Sequence, residues 1–225
     1  MNRFSFIRVV FVAAIVAVVG ACTAAKTLPT SQALAPTATT GLMLVSSAYS
    51  GGYSGYNMHF RKIGQLDKWQ SIEIGAGMAL LPPGMLNWDI EEPGLRGQTF
   101  AVPLEPGEYE FFSWHIASGY FHTRPVTDFS IRFTIEAGET YYVGRFTFLK
   151  QRNIGAAVTG VNVQHSDQWK FDRAILERKY PSVDFGKLKQ VASGVQLSEY
   201  LGDGNSTTLI LSPIVQVPLD GANAR

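Results

Sequence analysis

The chain has 225 residues, of which 16% are charged and 12% aromatic, and its formal net charge is +1. A near-neutral chain without a basic cluster excludes nucleic acid as a partner, since phosphate binding needs grouped Lys and Arg. Its one cysteine, Cys22, excludes an internal disulfide and a thiolate metal site. Few charges, many aromatics and 22 glycines suit a β-rich domain with tight turns better than a helical bundle.

The N-terminus carries Arg3 and Arg8, then an unbroken apolar run over residues 9–20 that closes on Val19-Gly20-Ala21-Cys22. The run is too short for a bilayer-spanning helix, which needs about 20 residues, and reads as a signal-sequence core. The last four residues match a lipobox: branched aliphatic, small, small, Cys. The segment therefore resembles a bacterial lipoprotein precursor. That resemblance implies a signal peptide over residues 1–21, cleavage before Cys22, and a covalent lipid on the Cys22 sulfur as the only added group. No cofactor is implied. Thr23 after the cysteine, in place of Asp, implies the outer membrane of the bacterial envelope. Without residues 1–21 the chain has 204 residues and 17 basic against 18 acidic side chains. Several acyl chains hold a protein on a bilayer far more firmly than one.

Residues 22–40, rich in Thr, Ala, Ser and Pro, read as a tether with a root-mean-square span of roughly 24 Å. Strands follow from Gly41. Residues 41–49, 56–63 and 69–74 are apolar or alternating, separated by Gly-rich turns. Residues 82–97 are too rich in Pro and Gly for a strand. Residues 98–104 and 108–117 flank the turn Glu105-Pro106-Gly107. Along 128–136, Phe129, Ile131, Phe133 and Ile135 alternate with polar residues, which is the period of a strand with one face buried. Ala137-Gly138 turns the chain into another aromatic strand over 139–149, and 157–164 adds one more. Seven or eight such strands predict an antiparallel β-sandwich over residues 41–165.

One short helix is expected within 166–181. Ser166 or Asp167 caps it, Phe171, Ala174 and Ile175 form its apolar face beside Trp169 and Leu176, and Pro181 stops it. Residues 182–225 read as a partly ordered extension, with 207–211 a possible edge strand.

Two phrases, Leu104-Glu105-Pro106-Gly107-Glu108-Tyr109 and Ile135-Glu136-Ala137-Gly138-Glu139-Thr140-Tyr141-Tyr142-Val143-Gly144, resemble a pattern of small bacterial lipoproteins and periplasmic domains of unknown function. Those domains are similar to prealbumin-like sandwiches, including the regulatory domain of carboxypeptidases. The resemblance implies a prealbumin-like or Ig-like fold and carries no catalytic residues.

Catalytic and metal patterns are weak. Ala48-Tyr49-Ser50-Gly51-Gly52 has the spacing of a nucleophile elbow but lacks the helix that must follow it. His59, His115, His122 and His165 show no metal-binding spacing, so no metal ligand is assigned. Glu91-Glu92 reads as a solvated loop pair, and Asp203-Gly204-Asn205 as a turn.

The segment 81–95 carries Met85, Leu86, Trp88 and Ile90 among prolines, and Tyr53 and Tyr56 flank glycines nearby. Apolar side chains on an exposed loop mark a contact surface, so these six residues form the expected one. The reading is a non-enzymatic, membrane-tethered accessory module that binds an envelope protein. The alternatives are a carbohydrate or peptidoglycan binder using Trp69, Trp88 or Trp114, and a hydrolase with an unrecognised site. Two coplanar exposed tryptophans would support the first alternative, and a histidine beside a serine or carboxylate in a pocket would support the second.

Overall fold

The computed structural model describes residues 35–52, 54–75, 87–191, 200–202, 204–212 and 215–218. They form a mostly β molecule of two packed sheets with one α-helix. The signal segment, Cys22, Tyr53, Met85 and Leu86 lie outside the described residues. No described helix is long and apolar enough to cross a membrane.

The first sheet has the order β10 (Ala157–Ser166), β9 (Thr140–Ile154), β1 (Gly41–Tyr49), β5 (Leu95–Leu104) and β4 (Ile90–Glu92). β1 is its centre, antiparallel to β5 and parallel to β9. Every residue of β1 is buried, because both faces of this sheet are covered. That is why the segment reads as a continuous apolar run without alternation.

The second sheet has β12 (Asn205–Ser212) between β13 (Val215–Pro218) and β7 (Phe121–Pro125). Beyond β7 come β6 (Gly107–Ser118), β2 (Gly55–Lys62) and β3 (Trp69–Gly75). β8 (Ile131–Ile135) pairs with the start of β6, while β7 pairs with its end, so two short strands share one long edge. The two-residue β11 (Lys189–Gln190) likewise pairs with the start of β9, where β10 does not reach.

Among the described residues thirteen strands form where seven or eight are expected, for three reasons. Residues 90–97 are extended, because Ile90 is buried and the Glu92-Pro93-Gly94-Leu95 turn folds β4 back onto β5. β6 splits its edge between two partners. The C-terminal extension supplies β11, β12 and β13, so the sheets draw on residues well beyond 165.

Aromatic and aliphatic side chains from the two inner faces meet in one core. Tyr56, Met58, Phe60, Phe111, Trp114 and Ile116 come from the second sheet, and Met43, Val45, Phe146 and Phe148 from the first. Each such side chain contributes roughly 1.5–3 kcal/mol on burial. A smaller cluster of Leu42, Leu44, Tyr142, Leu176, Tyr180 and Val183 lies on the opposite face of the first sheet, beneath helix α1 (Trp169–Lys179).

The edge strand β10 is closed by side chains of the other sheet. Its register shifts around Gly160 leave backbone groups without strand partners. Asn205 receives the Val161 N–H and donates to the Val161 carbonyl, both at 2.9 Å. Ser118 Oγ accepts from Val158 N–H at 3.0 Å, and Thr207 Oγ1 donates to the Thr159 carbonyl at 2.8 Å. An edge that is paired in this way offers no template for another strand.

Candidate functional site

Two polar constellations stand out, one sealed and one open. The sealed one lies under α1. Asp172 is fully buried and faces Arg145 of β9, itself 2% exposed. Arg145 donates to Asp172 through Nε at 3.1 Å and also through Nη2, and to Glu92 Oε1 through Nη1 at 2.9 Å. Tyr142 OH donates to Asp172 Oδ2 at 2.6 Å, and Ser46 Oγ donates to the same oxygen. Burial and the Asp172 carboxylate push the Tyr142 hydroxyl pKa up, so it stays a donor. At the far end of the helix, Lys179 Nζ reaches Asp89 Oδ2 at 2.5 Å and the Thr99 carbonyl at 2.6 Å, and Tyr180 OH donates to that carbonyl at 2.9 Å. With Asp172, Arg145, Tyr142 and Ser46 buried and partnered, and Glu92, Asp89 and Lys179 closing the rim, this network fastens the helix to the sheet.

The open constellation lies on the outer face of the second sheet. Along β2, Tyr56, Met58 and Phe60 point into the core, so Asn57, His59 and Arg61 point out. β3 places Ser71 opposite His59 and Trp69 opposite Arg61, while β6 places His115 opposite Asn57. A register shift between His59 and Phe60 brings Phe112 to the same face, where the Arg61 guanidinium sits 4.2 Å from its ring centre. β7 adds His122 and Arg124.

The result is a row of rings. Trp69 meets His59 at 4.5 Å with planes 69° apart. His59 stacks over His115 at 6.4 Å, and His115 over His122 at 5.1 Å. His115 Nε2 and His122 Nδ1 share a hydrogen bond of 2.9 Å, one ring donating to the other. His59 Nδ1 is buried with no hydrogen-bond partner. Burial first, and the Arg124 guanidinium second, push the His59 pKa down to about 4. The same two causes, joined by His122 and His59, bring His115 to about 4, and His122 is lowered by burial and Arg124. At neutral pH the row is uncharged.

A depression of about 850 Å³ wraps the Trp69 end of β2 and β3, lined on the outer face by Asn57, His59, Arg61, Ser71 and His115 and on the inner face by Phe60, Gln70 and Leu104. Its cations are largely answered: Arg61 pairs with Glu110 at 2.8 Å, and Lys62 with Glu105 at 3.6 Å. Trp69 keeps 46% of its surface exposed.

The expected contact surface is placed differently. Ile90 is 1% exposed in β4, and Tyr56 is fully buried, stacked on Tyr49 at 4.5 Å with its OH donating to the Gly52 carbonyl. Trp88 is half-buried and packs edge-on against Tyr49 at 5.5 Å. Ile90 and Tyr56 therefore belong to the core and not to an exposed surface, while Trp88 covers its rim with part of its surface open. Of the three tryptophans considered as stacking platforms, Trp114 is core, with its indole N–H donating to the Leu201 carbonyl at 2.8 Å, Trp88 packs on Tyr49, and only Trp69 stands on an open face, so the expected pair of coplanar exposed tryptophans does not form. Ser50 follows β1 alongside β9, its Oγ accepting from Lys150 N–H, and makes no elbow. His165 is buried against Phe146, its Nε2 within 2.7 Å of the Val143 carbonyl oxygen. Among the described residues, no group of three or more His, Cys, Asp or Glu side chains has the geometry to hold a metal ion.

Sequence reasoning named the four histidines and Trp69 singly. It missed Asn57, Ser71, Phe112 and Arg124 as their neighbours. The outward alternation Asn57-His59-Arg61 is the signal that points to this face. Register and the β6 bulge, which no single strand reveals, decide which residues join it. The chain matches no family model, no curated protein and no solved structure.

Proposed function

We propose that the protein is a lipid-anchored, non-enzymatic binding module of the bacterial cell envelope, tethered through Cys22 and using the outer face of its second sheet to hold a partner. The lipobox supports the anchor. The single observation that carries the binding reading is the uncharged ring row from Trp69 to His122, ordered on an open face and not consumed by the core. Aromatic anchors that keep a polar edge are the usual centre of a binding patch. The histidine hydrogen bonds found among the described residues run to another histidine or to a backbone carbonyl, an arrangement that supports binding over general base catalysis.

The test has two parts. Cells fed labelled palmitate should label the native chain and not Cys22→Ser, which should leave the membrane fraction. A photo-crosslinking side chain placed at position 59 or 71 should capture an envelope component, while one at Arg173 on the helix should not. Equal capture from all three positions overturns the assignment of the face.

A further inference from the structure

The groove beside Trp69 has the chemistry of one ligand class. The indole is an exposed flat ring held in place by His59. A ring of this kind stacks on the C–H face of a sugar, which is flat, weakly apolar and rimmed by hydroxyls. On the outer face the lining around it is rich in neutral groups that both give and accept hydrogen bonds: the Asn57 amide, the Ser71 hydroxyl and two imidazoles. Its charged rim is close to balance, since Arg61 and Lys62 are tied to Glu110 and Glu105, while Asp67 and Lys68 offset each other. An anionic ligand would find little net attraction, and a wholly apolar one would strand the Asn57 amide and the Ser71 hydroxyl.

We propose that this groove is a site for a short neutral oligosaccharide, stacked on Trp69 and hydrogen-bonded along Asn57, His59 and Ser71. The proposal rests on the reading of this face as the binding face, and names its ligand.

The test is a titration of the full chain, held in detergent, with a neutral trisaccharide of N-acetylglucosamine, and in parallel with a uronic-acid trisaccharide and an unrelated peptide. The indole N–H resonance of Trp69 and the ring resonances of His59 are followed by NMR. The neutral sugar should shift both, and the uronic acid should bind at least tenfold more weakly. Trp69→Ala should weaken the neutral sugar at least tenfold, Trp69→Phe should recover most of the loss, and Arg173→Ala should change nothing. Absence of any shift with the neutral sugar, or native binding by Trp69→Ala, overturns the proposal. Stronger binding of the uronic acid or of the peptide also overturns it. If the sugar is silent while positions 59 and 71 still crosslink to an envelope protein, the saccharide fails and the binding face stands. If both are silent, both fail.

Discussion

His59 and His115 look unremarkable as letters, yet their surroundings remove their charge. Both sit largely buried between neighbouring rings, and Arg124 adds a like charge to the imidazolium form. A ring titration by NMR should place both midpoints near pH 4, well under the ordinary 6.5. Arg124→Ala should raise both, because it removes the second cause and leaves burial. Midpoints that stay near 6.5 in the native chain would sink this account. The sign for stability follows from the same shift. The unfolded chain takes up these protons at about pH 6.5 and the folded one only near pH 4, so stability is complete above 6.5 and falls as the pH drops between them. Chemical unfolding at pH 7 and pH 4.5 should show that fall, and it should shrink in His59→Gln. Little of this was legible in the sequence. The four histidines are visible as a list, but their stacking depends on three strands meeting in register. Tyr56 and Ile90 show the opposite failure: each sits beside a glycine- or proline-rich segment, which suggests exposure, and each points inward because it opens a strand, Tyr56 in β2 and Ile90 in β4.

At the level of the element, α1 shows why an apolar face was misassigned. Phe171, Ala174 and Ile175 recur at helical spacing, yet Phe171 is 60% exposed and Ala174 is also exposed. The face against the sheet runs through Trp169, Asp172, Leu176 and Tyr180 instead. Asp172 makes the pattern invisible to a count of apolar residues, since a buried carboxylate is stable only with a partner, and that partner lies 27 positions away in β9. The cap position also shifts, from Ser166 or Asp167 to Gln168, with Asp167 Oδ1 accepting from Trp169 N–H at 2.9 Å. The Pro181 stop falls where proline chemistry places it. Asp172→Ala leaves Arg145 buried with only Glu92, and should cost about 3–5 kcal/mol in urea unfolding. Replacing both partners, Asp172→Leu with Arg145→Met, should cost clearly less than the single change. A single-variant cost under about 1 kcal/mol would show that the network is not holding the helix. In β5, Gly97 is fixed by contact and not by turn geometry. A Cβ there would lie 2.3 Å from the Ser47 carbonyl oxygen and 2.9 Å from Ala48 Cα. Gly97→Ala should therefore push β5 off β1 and cost about 1–3 kcal/mol, read from the unfolding midpoint.

The whole molecule is two sheets whose shared core was legible and whose closure was not. Alternation along 128–136 and the aromatic runs on either side of Gly138 announce a sandwich, because a period of two needs no partner to be seen. The seam that joins the sheets uses Ser118, Asn205 and Thr207, three ordinary polar residues, the last two in a C-terminal stretch that reads as an appendage. Their role arises from the β10 bulges, which leave backbone donors and acceptors facing the other sheet. Asn205 matters most, since its one amide both accepts from and donates to Val161, as a neighbouring strand would. Asn205→Ala removes both bonds at once and leaves a largely buried amide and carbonyl without partners, at about 1–3 kcal/mol for each unsatisfied group. Hydrogen exchange is the direct readout. The Val161 amide, and Val158 beside it if the seam opens as a unit, should lose protection while β1 at the sheet centre keeps its own. Asn205→Asp separates the roles, because it keeps the acceptor for Val161 N–H and loses the donor, so it should protect Val161 better than the alanine does. Unchanged exchange at Val161 in both variants would mean that β10 holds to the first sheet alone, and the C-terminal strands would then be a cover and not a closure.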